Sequence, residues 1–162
     1  MGSGICRTSF ALFLLLSLIS VSVSAVPVRD CDDLRGIGKD LSGSYSLERD
    51  IFCDSFESIG SRKDPFKGYL NGEGHIIHYE GGAGIFHSLK DARIEDMGVK
   101  SEDLIAAVAG SVSRYAYNST LDGVYAVAVL RSNNVSGGIL GVARNSEIVN
   151  SMSAGKMFSR GV

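Results

Sequence analysis

Tryptophan is absent from this 162-residue chain, proline occurs twice and cysteine three times. Beyond residue 25 threonine occurs once, at Thr120, which excludes an ice-binding face built from stacked threonines. No apolar run approaches the ~20 residues that span a bilayer as a helix. Charge of one sign is also missing: 16 Lys and Arg stand against 18 Asp and Glu, scattered rather than blocked, for a net −2. Such a surface stays soluble and gives no electrostatic case for nucleic acid or anionic lipid. HExxH, an EF-hand loop and Cys/His ligand spacing are missing too, so no metal or cofactor is expected. His75, His78 and His87 read as solvated strand and turn residues. No G-x-S-x-G elbow or free Cys/His pair supports protease chemistry.

The N-terminus does carry a pattern. Arg7 precedes an apolar run from Phe10 to Ile19, and small residues follow, ending Val23-Ser24-Ala25. This predicts a secretory signal over residues 1–25, cleaved after Ala25, with no membrane insertion afterwards. Cleavage removes Cys6 and leaves Cys31 and Cys53, which are expected to pair in an oxidising compartment.

The remaining residues fit one domain, with a cap and first coil over 26–65 and repeats over 66–162. Twenty glycines and few helical patterns point to a β-rich, turn-rich fold. Asp30 to Ile37 reads as one short helix, acidic at its N-terminus, with Leu34 and Ile37 on one face. Strands follow over Leu41–Leu47 and Ile51–Cys53.

From Phe66 onward a phrase recurs: a Gly- and Ala-flanked apolar word, a polar turn, then a short β word. Ile94, Leu121 and Ile148 fall 27 residues apart, a period typical of stacked units. In a coil of parallel strands alternate residues point inward and stack on their equivalents, so these three form a predicted core column. An antiparallel sandwich would not require that phase. Aligning Gly84, Ala107 and Gly138 at the apolar word gives intervals of 23 and 31, which implies extra length in the middle coil. Arg114 to Ser119 is therefore expected to be an exposed loop, with Arg114, Tyr115 and Tyr117 as a contact patch.

The run DLRGIGKDLSGSYSLERDIFCDSFESIG, then PFKGYLNGEGHIIHY, GIFHSL, AVAG and GGILG, resembles GLUG-motif proteins of the pectin-lyase-like, right-handed β-helix group. The specific part is Phe66, Gly68, Leu70, Asn71, Gly72, Gly74, His75 and Ile77. His87 and Ala107 depart from it, each standing where a motif glycine is expected. The resemblance implies an all-β, short right-handed parallel β-helix (solenoid) with an N-terminal helical cap, set in secreted surface proteins.

Both ends of such a stack need covers. The helix and its disulfide can cover one; Lys156 to Val162 shows no cap, which suggests self-association through the C-terminal end or a longer parent array. Two sequons, at Asn118 and Asn134, are candidate glycosylation sites and would then lie on exposed turns. The functional expectation is a secreted, non-catalytic interaction scaffold for adhesion or surface and matrix binding, with an extracellular protein or glycan as partner. The alternatives are a carbohydrate-active enzyme with Asp91, Glu95 and Asp96 near its chemistry, or a host-directed effector. Adjacent Glu95 and Asp96 would point to opposite faces of a strand, which argues against the enzyme.

Overall fold

The structure, a computed structural model, describes residues 24–159; the expected leader up to residue 23 and residues 160–162 lie outside them. The chain runs β1 (Val26–Val28), α1 (Cys31–Gly36), a 3-10 turn (Ile37–Lys39), β2 (Ser44–Leu47), β3 (Ile51–Cys53), β4 (Tyr69–Asn71), β5 (Ile76–Glu80) and β6 (Phe86–Lys90). It continues through β7 (Arg93–Glu95), β8 (Gly98–Gly110), β9 (Ser113–Tyr117), β10 (Thr120–Asp122), β11 (Tyr125–Gly137), β12 (Leu140–Arg144), β13 (Glu147–Val149) and β14 (Met152–Ser159). The strands form three sheets, in the orders β1-β2-β4-β7-β10-β13, β14-β11-β8-β5-β3 and β12-β9-β6, and their pairings are parallel. From β4 on, each full coil gives one strand to each sheet, so the molecule is a parallel β-solenoid of about four turns with one short helix near its start.

The core column is in register. Ile94 pairs with Leu121 and Leu121 with Ile148, and the same row runs back through Leu70 and Tyr45 to Val26. Leu70, Ile94 and Leu121 are fully buried, but Ile148 is 43% exposed. That corrects the expectation of burial at all three positions. β13 is the last strand of its sheet, so Ile148 rests on Leu121 and has no described strand on its other side.

The phase of the other sheet also needed correction. Phe86, Ser113 and Leu140 are register partners, and Ile85 donates its amide to the Ser111 carbonyl as Ser111 does to Gly138. Ser111, not Ala107, thus stands between Gly84 and Gly138, and the period is uniform there. No surplus length exists, and the expected loop from Arg114 to Ser119 is instead mostly β9, hydrogen-bonded between β6 and β12. Neighbours on both sides satisfy its backbone, and Tyr115 and Tyr117 suit a strand.

Two motif glycines hold the coils close. A methyl on Gly68 would overlap the Gly43 carbonyl oxygen, and one on Gly72 would overlap that of Asp96. Close approach of the backbone demands the missing side chain.

At the N-terminal end Asp30 caps α1, its carboxylate accepting from the amides of Asp32 at 3.0 Å and Asp33 at 2.8 Å. Leu34 and Ile37 are fully buried beneath it. The Cys31–Cys53 disulfide, with Cα atoms 5.5 Å apart, ties this helix to β3 across 22 residues. A closed loop of that length contributes about 3 kcal/mol in the chain-entropy model. Pro27 is tolerated because β1 is an edge strand.

The unequal environments along the column set a stability prediction. Ile94→Ala removes a side chain packed on both sides and is expected to cost about 2–5 kcal/mol. Ile148→Ala is expected to cost about 1 kcal/mol or less, because that side chain is already partly in water. Equilibrium denaturation of the two variants checks this, and equal losses would contradict an open column end.

Candidate functional site

The outer face of the β6-β9-β12 sheet gathers cations around one tyrosine. Along β9 the buried positions are Ser113 and Ala116, three apart, and along β6 they are Phe86, Ser88 and Leu89. Strict alternation would space inward residues by two. The extra step leaves Arg114 and Tyr115 both half-buried rather than buried, and it places the His87 ring 5.8 Å from that of Tyr115.

Arg62 reaches the same ring from the preceding coil. Ile59 and Phe66 are held against β6, their amides donating hydrogen bonds to the carbonyls of Ile85 at 2.8 Å and Ser88 at 2.9 Å. Between them Ser61 and Asp64 close a tight turn, the Ser61 amide donating to the Asp64 carbonyl and the Asp64 amide to Ser61 Oγ. Arg62 projects from it, with its guanidinium carbon 4.6 Å from the Tyr115 ring centroid. Arg114 places its own 5.9 Å from the same centroid and donates Nε to the Val108 carbonyl at 3.1 Å. Each contact is a cation–π interaction.

These cations differ from most other arginines of the molecule. Arg29 pairs with Glu48, Arg35 with Asp32, Arg93 with Glu95 and Arg131 with Asp103. Among the described residues Arg49, Arg62, Arg114 and Arg144 make no ion pair within 4.0 Å, and of these Arg62 and Arg114 meet at Tyr115. The row below Tyr115 adds charge, since Lys90, Tyr117 and Arg144 are register partners across the sheet. β6, β9 and β12 contain no acidic residue. Carboxylates stand in the adjoining turns and strands: Asp64 in Arg62's own turn, Asp91 after Lys90, where it accepts from Asn118 Nδ2 at the corner, and Glu147 three residues after Arg144.

The acidic residues do not converge in this way. Glu95 accepts from the Tyr69 hydroxyl at 2.5 Å and is paired with Arg93. These bonds, that of Tyr69 first, hold its carboxyl below the ordinary range, and the same contact pushes the Tyr69 phenol up to about 12. A group held ionised so firmly is poorly suited to general-acid work. Asp91 and Asp96 sit at opposite ends of β7, each in a left-handed turn conformation. Five residue steps separate them, an extended Cα span of roughly 16 Å, where glycoside hydrolysis uses carboxyls ~5–10 Å apart. Among the described residues no three His, Cys, Asp or Glu side chains are grouped to hold a metal ion. His75 lies 3.5 Å from Asp50, and His78 stacks on the exposed Phe52 ring, so the three histidines are dispersed.

Both sequon asparagines are exposed. Asn118 occupies a corner, with a left-handed φ of 49°. Asn134 does not lie on a turn: it is inside β11, where the register shifts between Ser132 and Val135 and its amide donates to Ser132 Oγ. That bulge, rather than a turn, exposes it.

The sequence had marked Arg114, Tyr115 and Tyr117 but not their companions. Counting back one period from Tyr115 reaches Ser88, beside His87, so that neighbour was accessible from the repeat. Arg62 was not, because its turn belongs to no strand.

Compared with family models, with curated proteins and with solved structures, the chain matches none of them.

His87 carries a pH prediction. Partial burial, then the charges of Arg114 and Arg62, hold its imidazole below the ordinary 6.5. The unfolded chain therefore takes up this proton more readily than the folded one, and stability falls as pH drops through 6.5. Replacing His87 by Gln is expected to flatten the decline in melting temperature between about pH 7 and 5. Carboxylates such as Glu95 act lower, losing their contribution as pH falls below the ordinary 4.5. An unchanged slope in His87→Gln would refute this assignment.

Proposed function

We propose that the chain is a secreted, non-catalytic interaction scaffold of the GLUG-type, pectin-lyase-like kind, which presents the β6-β9-β12 face to an extracellular protein or glycan. The observation that carries this reading is the pair of arginines around Tyr115 without carboxylate partners, Arg114 on β9, which is hydrogen-bonded on both sides, and Arg62 on a turn whose flanks Ile59 and Phe66 are bonded to β6. A site on rigid elements binds without the ordering cost of a loop. The repeat phrase supports the family likeness, since its Gly68 and Gly72 stand where neighbouring coils approach too closely for a side chain.

The last described coil belongs to the same proposal as a place of self-association. Ile148, Met152, Met157 and Phe158 are exposed there beside the open edge of β14. Unpaired strand edges bearing apolar side chains recruit other chains.

The test is a binding panel of extracellular proteins and glycans, with sedimentation velocity on the same preparation. The double variant Arg62→Gln/Arg114→Gln is expected to lose binding at least tenfold while melting like the parent protein. Release of new reducing or unsaturated sugar ends, abolished by Asp96→Ala, would replace the scaffold reading with an enzymatic one. A strictly monomeric chain at high concentration would remove self-association.

A further inference from the structure

We infer that the partner of the β6-β9-β12 face is a polyanionic glycan, whose carboxylate or sulfate groups are received by the guanidinium forks of Arg62 and Arg114 and by the Lys90 and Arg144 row. This rests on the scaffold reading and narrows it to one ligand chemistry.

Three observations carry it. First, Arg62 and Arg114 are drawn to one ring, so their like charges cannot lie further apart than the sum of their distances to its centroid. A planar carboxylate or a sulfate accepting from both would relieve that repulsion and take up guanidinium donors other than Arg114 Nε, which the Val108 carbonyl already holds. Second, the charge continues along the sheet. Lys90 and Arg144 are in one register row, two strands apart, or about 10 Å at the usual strand spacing. Spaced cations suit a chain with anionic groups at intervals better than a single small anion. Third, Tyr115 is not an open platform. Arg62 lies over its ring and His87 leans on it, so neither a base nor a sugar ring can stack there freely. Recognition then falls to charge. Single-stranded nucleic acids, by contrast, are commonly held on free aromatic faces.

His87 couples the face to pH. The charged and titratable groups facing it are Arg62 from the turn before β4 and Arg114 and Tyr115 from β9, with Ser88 Oγ 3.0 Å from its Nδ1. A bound anion offsets the two arginines and lets the imidazole take a proton, so affinity rises as pH falls from 7.5 to 5.5.

The test measures binding of the full chain to a polyuronate, to a heavily sulfated glycan, to a neutral glucan and to single-stranded DNA of matched length, at low and high salt. Expected are binding to one or both anionic glycans, weakening with salt, and none to the glucan. Arg62→Gln and Arg114→Gln each reduce affinity about tenfold, and Arg114→Lys loses less. Arg29→Gln, which removes an arginine already paired with Glu48, changes it less than twofold. His87→Gln abolishes the gain at pH 5.5. The polyuronate and sulfated arms decide which anionic group is preferred, and either supports the inference. Equal or tighter binding to DNA would overturn it, as would anionic binding indifferent to Arg62 and Arg114. Arginine-dependent capture of a neutral glycan or a protein would overturn this inference and leave the scaffold reading standing. No ligand on any arm or in the protein panel would remove both.

Discussion

In-register pairing of successive coils is the constraint on which the rest of the molecule depends. A strand of three residues, such as β7 or β10, cannot bury its own side chains or satisfy its own backbone. Only a neighbour above and below does both. Once Leu70, Ile94 and Leu121 are stacked, the corners must repeat as well. They do so through small polar residues: the amides of Ala92, Ser119 and Val124 donate to Ser119 Oγ, Ser146 Oγ and Ser151 Oγ, each 27 residues on. Asp91, Asn118 and Asn145 share the left-handed conformation at one corner, again at that period. Asn and Asp tolerate this conformation better than other side-chain-bearing residues, so the composition of the corners follows from their geometry.

That regularity explains how much was readable beforehand. The column was legible where the period is constant, from Ile94 onward. Its continuation to Leu70 and Tyr45 was hidden because those coils are shorter. Ile76 to Phe86 spans five residues fewer than the register-equivalent Gly98 to Ser113, while the turn between Leu70 and Ile76 is longer than the one between Ile94 and Gly98. Length differences absorbed in turns erase a period without disturbing the sheet. The exposed-loop expectation for Arg114 to Ser119 failed for a related reason. A Gly or Ala marks the phase in that alignment, and the equivalent position in the middle coil is Ser111. A small residue sufficed there, so the marker was absent though the geometry was present.

The candidate face was half legible for a different reason. A tyrosine and an arginine side by side are visible in sequence, but their role depends on whether the strand keeps a period of two. At β9 it does not: Ser113 and Ala116 both turn inward, and the two residues between them are left to the outside. Nothing in the residue order distinguishes that from ordinary alternation. Arg62 was still less accessible, because its position comes from Ile59 and Phe66 clamping a turn against β6, a tertiary fact.

The distribution of charge then separates what holds the fold from what is free to bind. Carboxylates lie mainly at corners and on the other sheets, where Glu48, Glu95 and Asp103 neutralise arginines. Exposed pairs of this kind add little stability, but they remove those arginines from competition for an external anion. The β6-β9-β12 sheet lacks such partners in its strands, so a chain that is acidic as a whole presents one basic face. Because β9 is bonded on both sides, by β6 and β12, the register that sets Arg114 on its strand and Lys90 opposite Arg144 holds whether or not anything is bound. Rigid spacing favours ligands whose own charges repeat. The stacking that gives the solenoid its stability therefore also sets the interval at which it can read a partner.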